Sequence, residues 1–189
     1  RGGLHGTAAM TAITAQHTVA VEAVFPIPPE MSLAQIRSVL TDLPPGAVKI
    51  GMVGGVAAIG AVAEGLNDLP ADIPVVLDPV MIAESGGRLL DVDAEIALVE
   101  RLLPRASVVT PNVPEARVLA RHSGLDRPDM LEGEELAHAV LAAGAAAVVL
   151  TGGHTDGSED LLVVGTGADT IVLGGPRHPD GAAHGSGCT

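Results

Sequence analysis

Four short apolar runs limit what this chain can fold into more than any other feature. They are Ala47 to Met52, Val75 to Leu77, Ser107 to Thr110 and Ala147 to Leu150, and stretches of helical length separate them. Val56 to Leu69 is an alanine-rich helix, Asp91 to Leu103 carries acids in its first turn, Pro114 opens a third helix and Glu132 to Ala143 forms a fourth. Strand, helix, strand, helix in this rhythm predicts an α/β fold with a mainly parallel sheet covered by helices. Composition agrees. Hydrophobic residues make up 47% of 189, yet there is one Phe and no Trp or Tyr. The core must be built from Ala, Val, Leu and Ile, as in buried parallel sheets. The length suits one domain, residues 1–189.

Other segments fill in the order. Thr7 to Ala15 is a small, β-branched, extended run, and Val19 to Phe25 alternates as a second strand that ends at Pro26. Ser32 is read as the cap of a helix with Leu33, Ile36, Leu40 and Leu43 on its apolar face. Asp160 to Val164 and Thr170 to Leu173 read as a late hairpin. Ligands of parallel sheets bind beyond the carboxyl ends of the strands. The residues there are Gln16, Met52, Asp78, Asn112 and Thr151-Gly152-Gly153, and they are expected on one edge.

Charge narrows the partners. A net charge of −13 repels phosphate backbones, which argues against nucleic acid. No apolar run suits a membrane span. The single cysteine, Cys188, allows no internal disulfide, so a reducing cytoplasm is expected.

Three segments can carry chemistry. In HGSGCT, residues 184 to 189, Gly185 and Gly187 leave backbone amides free to converge on an anion. A thiol at a helix start has a depressed pKa and can act as base or nucleophile. The same residues also fit a plain glycine-rich loop with an inert cysteine. In TPNVPEA, residues 110 to 116, Asn112 and Glu115 sit three apart at a strand-to-helix junction. The carboxylate can reach a metal among phosphates, or simply complement the helix dipole. Asp78 closes a strand before Pro79, where it suits metal, phosphate or proton work, or its own turn. Lys49 is the only lysine, and phosphoryl transfer needs positive charge nearby. The histidines lack metal-ligand spacing. No Gly-Lys pair of a phosphate-binding loop occurs, and no dinucleotide fingerprint follows a strand.

Taken in order, TAITAQHT, KIGMV, DPVMIAESGGRLL, LLPRASVVTPNVPEA, VVLTGGH and HGSGCT resemble the hydroxymethylpyrimidine/phosphomethylpyrimidine kinases of thiamine biosynthesis, in the ribokinase-like superfamily. The resemblance covers essentially the whole chain. Sugar kinases of that superfamily mostly have Asp where Cys188 stands. The resemblance implies a three-layer α/β/α fold, incomplete at both ends, and ATP-dependent phosphorylation of 4-amino-5-hydroxymethyl-2-methylpyrimidine and its monophosphate. It implies Cys188 as base, with the amides around Gly185, Ser186, Gly187 and Cys188 as anion hole. Asp78 and Glu115 would support Mg²⁺, and Asn112, Glu115, Thr151 and Gly152 would lie along the nucleotide. Gln16, Met52 and Val80 would line the pyrimidine pocket. Relatives of this kind are often homodimers.

Three positions depart from the family pattern. Thr151 and Glu84 stand where lysines are usual, and His17 replaces an asparagine. The chain opens at Arg1 in what reads as a turn and closes at Thr189 inside the glycine-rich motif, so it is read as a fragment with little activity alone. Two other kinds of function compete with a pyrimidine kinase: a pyridoxal kinase, and a non-catalytic pyrimidine-binding relative. A cysteine hydrolase using Cys188 with His184 lacks an evident orienting acid.

Overall fold

The structure, a computed structural model, describes residues 3–17, 21–81, 89–122, 127–152, 159–165 and 169–174. Its elements run β1 (Ala12–Gln16), β2 (Val21–Pro26), α1 (Pro29–Asp42), β3 (Val48–Ile50), α2 (Val56–Asn67), β4 (Val75–Leu77), α3 (Val92–Arg101), β5 (Val108–Val109), α4 (Val113–Arg121), α5 (Gly133–Ala142), β6 (Ala147–Leu150), β7 (Glu159–Val164) and β8 (Ile171–Gly174). One six-stranded sheet has the order β3-β4-β5-β6-β7-β8, and β1 and β2 form a separate antiparallel pair. The strands from β3 to β6 are parallel, and β7 and β8 return antiparallel as the expected hairpin. The expected α/β architecture with a mainly parallel sheet is what forms.

Sheet register explains how the core is built. Ile50, Leu77, Val109, Val148 and Val163 sit side by side across five strands, and all five are buried in one hydrophobic cluster. Their neighbours one residue away point to the other face. On that face Lys49 is exposed, Val76, Val108, Val149 and Leu162 are half-buried, and Ile171 is exposed. The strand order rises steadily from β3 to β6, and right-handed crossovers then place successive helices on one side. The helices touch in chain order, α1 on α2, α2 on α3, α3 on α4 and α4 on α5. Among the described residues, helices therefore cover one face of the sheet.

Local chemistry sets the helix ends. Asp91 caps α3 by accepting from the Ala94 amide at 2.8 Å. Asn112 caps α4 in a reciprocal box with Glu115. On the surface, Arg37 of α1 reaches Asp68 at 2.8 Å and Glu64 at 2.9 Å, which ties α1 to α2.

Two expectations change. Ser32 does not cap α1, which starts at Pro29 with Pro28 as its cap residue. Proline is tolerated there because the first helical N–H groups have no helical acceptor. Ser32 is fully buried, and its hydroxyl donates to the Met10 carbonyl at 3.0 Å, pinning the N-terminal segment to α1. The extended run from Thr7 becomes strand only at Ala12, where β2 offers a ladder partner.

Candidate functional site

The site begins with the carboxyl ends of β4, β5 and β6. Asp78 follows Leu77, and its amide donates to the Ile50 carbonyl at 2.8 Å. Its side chain is 9% exposed and pairs with the Lys49 ammonium at 3.2 Å. Lys49 and Asp78 approach because β3 and β4 run parallel, with Lys49 opposite Val76. The single lysine thus reaches the strand-end carboxylate from the neighbouring strand.

Asn112 and Thr151 extend β5 and β6 by one parallel bridge. The Thr151 amide donates to the Pro111 carbonyl at 2.9 Å, and its hydroxyl donates to the same oxygen at 3.3 Å. Gly152 follows with φ at +63°, a left-handed turn that suits glycine. Its amide donates to Asp160 of β7 at 3.0 Å. Asp160 is a site-edge residue with no signal in the sequence pattern, because its place depends on how β7 pairs back on β6.

Glu115 lies deepest, at 4% exposure. Its Oε2 accepts from the Asn112 amide at 3.0 Å and its Oε1 from the Met81 amide at 3.3 Å. Burial pushes its pKa up, the two backbone N–H groups oppose that, and the nearby Asp78 charge adds to the rise.

The sequence-selected residues therefore divide. Asp78, Asn112, Glu115, Thr151 and Gly152 gather at the ends of three adjacent strands. Val80 lies in the loop after β4, its amide donating to the Asp78 carbonyl at 2.9 Å. Met52 follows β3 and lines a cleft of about 280 Å³ between the N-terminal segment, α1, β3 and α2. That cleft also takes in Thr11, whose hydroxyl donates to the Met52 carbonyl at 3.1 Å. Gln16 does not close a strand of the central sheet, as the sequence pattern suggested. It ends β1 in the separate hairpin and is exposed, because β1 pairs with β2 alone. Nearby His17 faces Glu22 at 3.4 Å. Gly185, Ser186, Gly187, Cys188, Gly153 and Glu84 lie outside the described residues.

Among the described residues, no three His, Cys, Asp or Glu side chains are grouped to hold a metal. The carboxylates of Asp78 and Glu115 are the candidates at this edge. Each oxygen of Glu115 keeps a lone pair beyond its backbone bond. Such a sparse donor set fits Mg²⁺, which retains waters and takes phosphate oxygens as ligands.

A family model described as phosphomethylpyrimidine kinase matches residues 1–189. The chain is 40% identical over 192 aligned positions to a hydroxymethylpyrimidine/phosphomethylpyrimidine kinase of Haemophilus influenzae, covering 99% of this chain and 70% of that protein. A crystal structure of phosphomethylpyrimidine kinase from Clostridium difficile superposes with a TM-score of 0.74 at 36% identity, over 90% of this chain and 71% of the other. An ADP complex of Bacillus subtilis pyridoxal kinase gives 0.77 at 32% identity, over 95% and 67%.

Proposed function

The chain belongs to the phosphomethylpyrimidine kinase family, and from that premise we propose that its protein transfers the γ-phosphoryl group of ATP to the hydroxymethyl group of 4-amino-5-hydroxymethyl-2-methylpyrimidine, and then to the resulting monophosphate, in thiamine biosynthesis. The observation that carries the proposal is the convergence of Asp78, Asn112, Glu115 and Thr151 at the ends of adjacent strands. That is where a parallel sheet binds its ligands.

In this reading Cys188 takes the hydroxyl proton as the oxygen attacks the γ-phosphorus, and ADP leaves. The amides from Gly185 to Cys188 hold the moving phosphoryl group. Phosphoryl transfer is chiefly positioning and charge neutralisation, so backbone amides and a cation suffice. Mg²⁺, supported by Asp78 and Glu115, supplies that positive charge when bound with the nucleotide. Asn112, Thr151 and Gly152 follow the triphosphate, and Gln16, Met52 and Val80 face the pyrimidine. Thr151 brings a hydroxyl in place of a cation, so more of the neutralisation falls on the metal. Residues 1–189 act as one kinase domain in a cytoplasmic homodimer, a state that light scattering on the whole protein measures directly.

The deciding experiment compares hydroxymethylpyrimidine with pyridoxal as phosphoryl acceptors for the whole protein. Faster transfer to pyridoxal, or none to either, overturns the assignment. In the same protein, Cys188→Ala lowers kcat with little change in ATP affinity, because a base matters mainly in the transition state. Cys188→Asp retains more activity than Cys188→Ala. Equal rates for the two variants count against the base.

A further inference from the structure

We propose that Lys49 is the resident cation of the sheet edge: its charge weakens the hold of the Asp78 and Glu115 carboxylates on free divalent metal and favours metal that arrives bound to nucleotide. Resting on the kinase reading, this role goes to a residue that the transfer step leaves unused. Lys49 is the only lysine of the chain, and its ammonium lies 3.2 Å from Asp78 Oδ2. The pair is unequal. The Asp78 side chain is nearly buried, whereas that of Lys49 is exposed. A carboxylate held away from water needs a counter-charge, while the lysine is already solvated. Strand register brings the two together. Lys49 stands opposite Val76 in the parallel ladder, and Asp78 is two positions beyond Val76. Side chains two apart share a face. The Asp78 amide is fixed on the Ile50 carbonyl at 2.8 Å. The second acid is close by. Glu115 is tied through Oε1 to the Met81 amide, in the segment that Asp78 opens, and the Asp78 charge contributes to its raised pKa. Two carboxylates so placed attract a divalent cation.

Lys49 pairs with one oxygen of Asp78, and a carboxylate has a second with which to take a metal. The sign of the lysine's effect depends on the ligand. A positive charge repels a free divalent cation and attracts Mg²⁺ bound to ATP, whose net charge is negative. One side chain thus disfavours the metal alone and favours the metal with its nucleotide. A lysine that only props the strand would not shift the two in opposite directions.

The test has two arms on the whole protein. The first titrates it with Mn²⁺ alone, read by the metal's paramagnetic resonance. The second titrates it with Mg²⁺ and a non-hydrolysable ATP analogue, read by calorimetry. K49M keeps an unbranched stem and removes the charge. It binds Mn²⁺ about two- to tenfold tighter than wild type and the nucleotide complex about two- to tenfold weaker, the size of a charge effect across a solvated edge. Both shifts shrink as salt rises. K49R keeps the charge and binds both ligands as wild type does. In a D78N background K49M no longer gains Mn²⁺ affinity, because the two residues act on one site. Unchanged or weaker Mn²⁺ binding by K49M overturns the proposal. So does a shift of both ligands in the same direction, a K49R that behaves like K49M, or a gain that survives D78N. K49Q takes the place of K49M if that variant does not fold. If neither folds, Lys49 is needed for the fold itself and the proposal falls. A wild type that does not bind the nucleotide complex sinks the kinase reading, while the Mn²⁺ arm still decides whether Lys49 holds metal off these carboxylates.

Discussion

At the scale of the residue, Glu115 shows a site geometry bought with electrostatic strain. Its folded pKa lies above the ordinary carboxylate value, first because of burial. The sign of the linkage follows. A raised folded pKa means the native state binds the proton more tightly than the unfolded chain. The contribution to stability is fully present below the unfolded value of about 4.3 and is lost as pH rises through the folded value. E115Q has no such proton. Urea unfolding of both proteins from pH 4 to 7 should show wild type losing stability relative to E115Q as pH rises, and a constant difference would contradict the buried-charge account. Asp78, Asn112 and Thr151 were legible in the sequence because each stands just beyond an apolar run, and Glu115 because it follows Asn112 by three at a strand-to-helix junction. The Lys49–Asp78 pair was not, since it requires the β3–β4 register. Asp160 and Ser32 were hidden for the same reason, their partners being fixed by tertiary contacts.

At the scale of the element, apolar patterning and helix-start residues located the five α-helices and every strand of the central sheet, with ends shifted by a few residues. Gln16 was placed on the wrong sheet because a β-branched run reads alike in a core strand and in a hairpin. The contact between α1 and α2 was illegible, although it depends on one glycine. A Cβ built at Gly65 would lie 2.7 Å from Ile36 Cγ2 and 3.3 Å from Ile36 Cβ. Isoleucine is stiff at χ1 in a helix and cannot swing clear. Overpacking costs about 1–3 kcal/mol, and removing a helical glycine returns about 1 kcal/mol. Gly65→Ala should therefore destabilise by about 1 kcal/mol, or roughly 2–4 °C in Tm for a chain of this size. In an Ile36→Ala background the obstacle is gone, and the same substitution should stabilise. A double-mutant cycle measures the coupling, and equal shifts in both backgrounds would contradict the close contact.

At the scale of the whole molecule, the sheet is asymmetric. One face carries the buried row from Ile50 to Val163, and the other carries Val76, Val108, Val149 and Leu162, half-buried with no described helix over them. Parallel sheets are stable with both faces covered, and the chain spans only part of the length of its relatives. Residues 1–189 made alone should therefore keep helical circular dichroism from the covered side while binding an apolar dye on the other. Contiguous apolar surface drives self-association, but a net charge of −13 opposes it. Salt separates the two forces. Raising ionic strength from about 0.01 M to about 1 M shortens the screening length from about 30 Å to about 3 Å, so association should strengthen with salt. Light scattering across that range checks it. A monomer at high salt with no dye binding would mean that the exposed face is covered. Dissociation by salt would instead assign the contact to charge pairs rather than to the open face of the sheet.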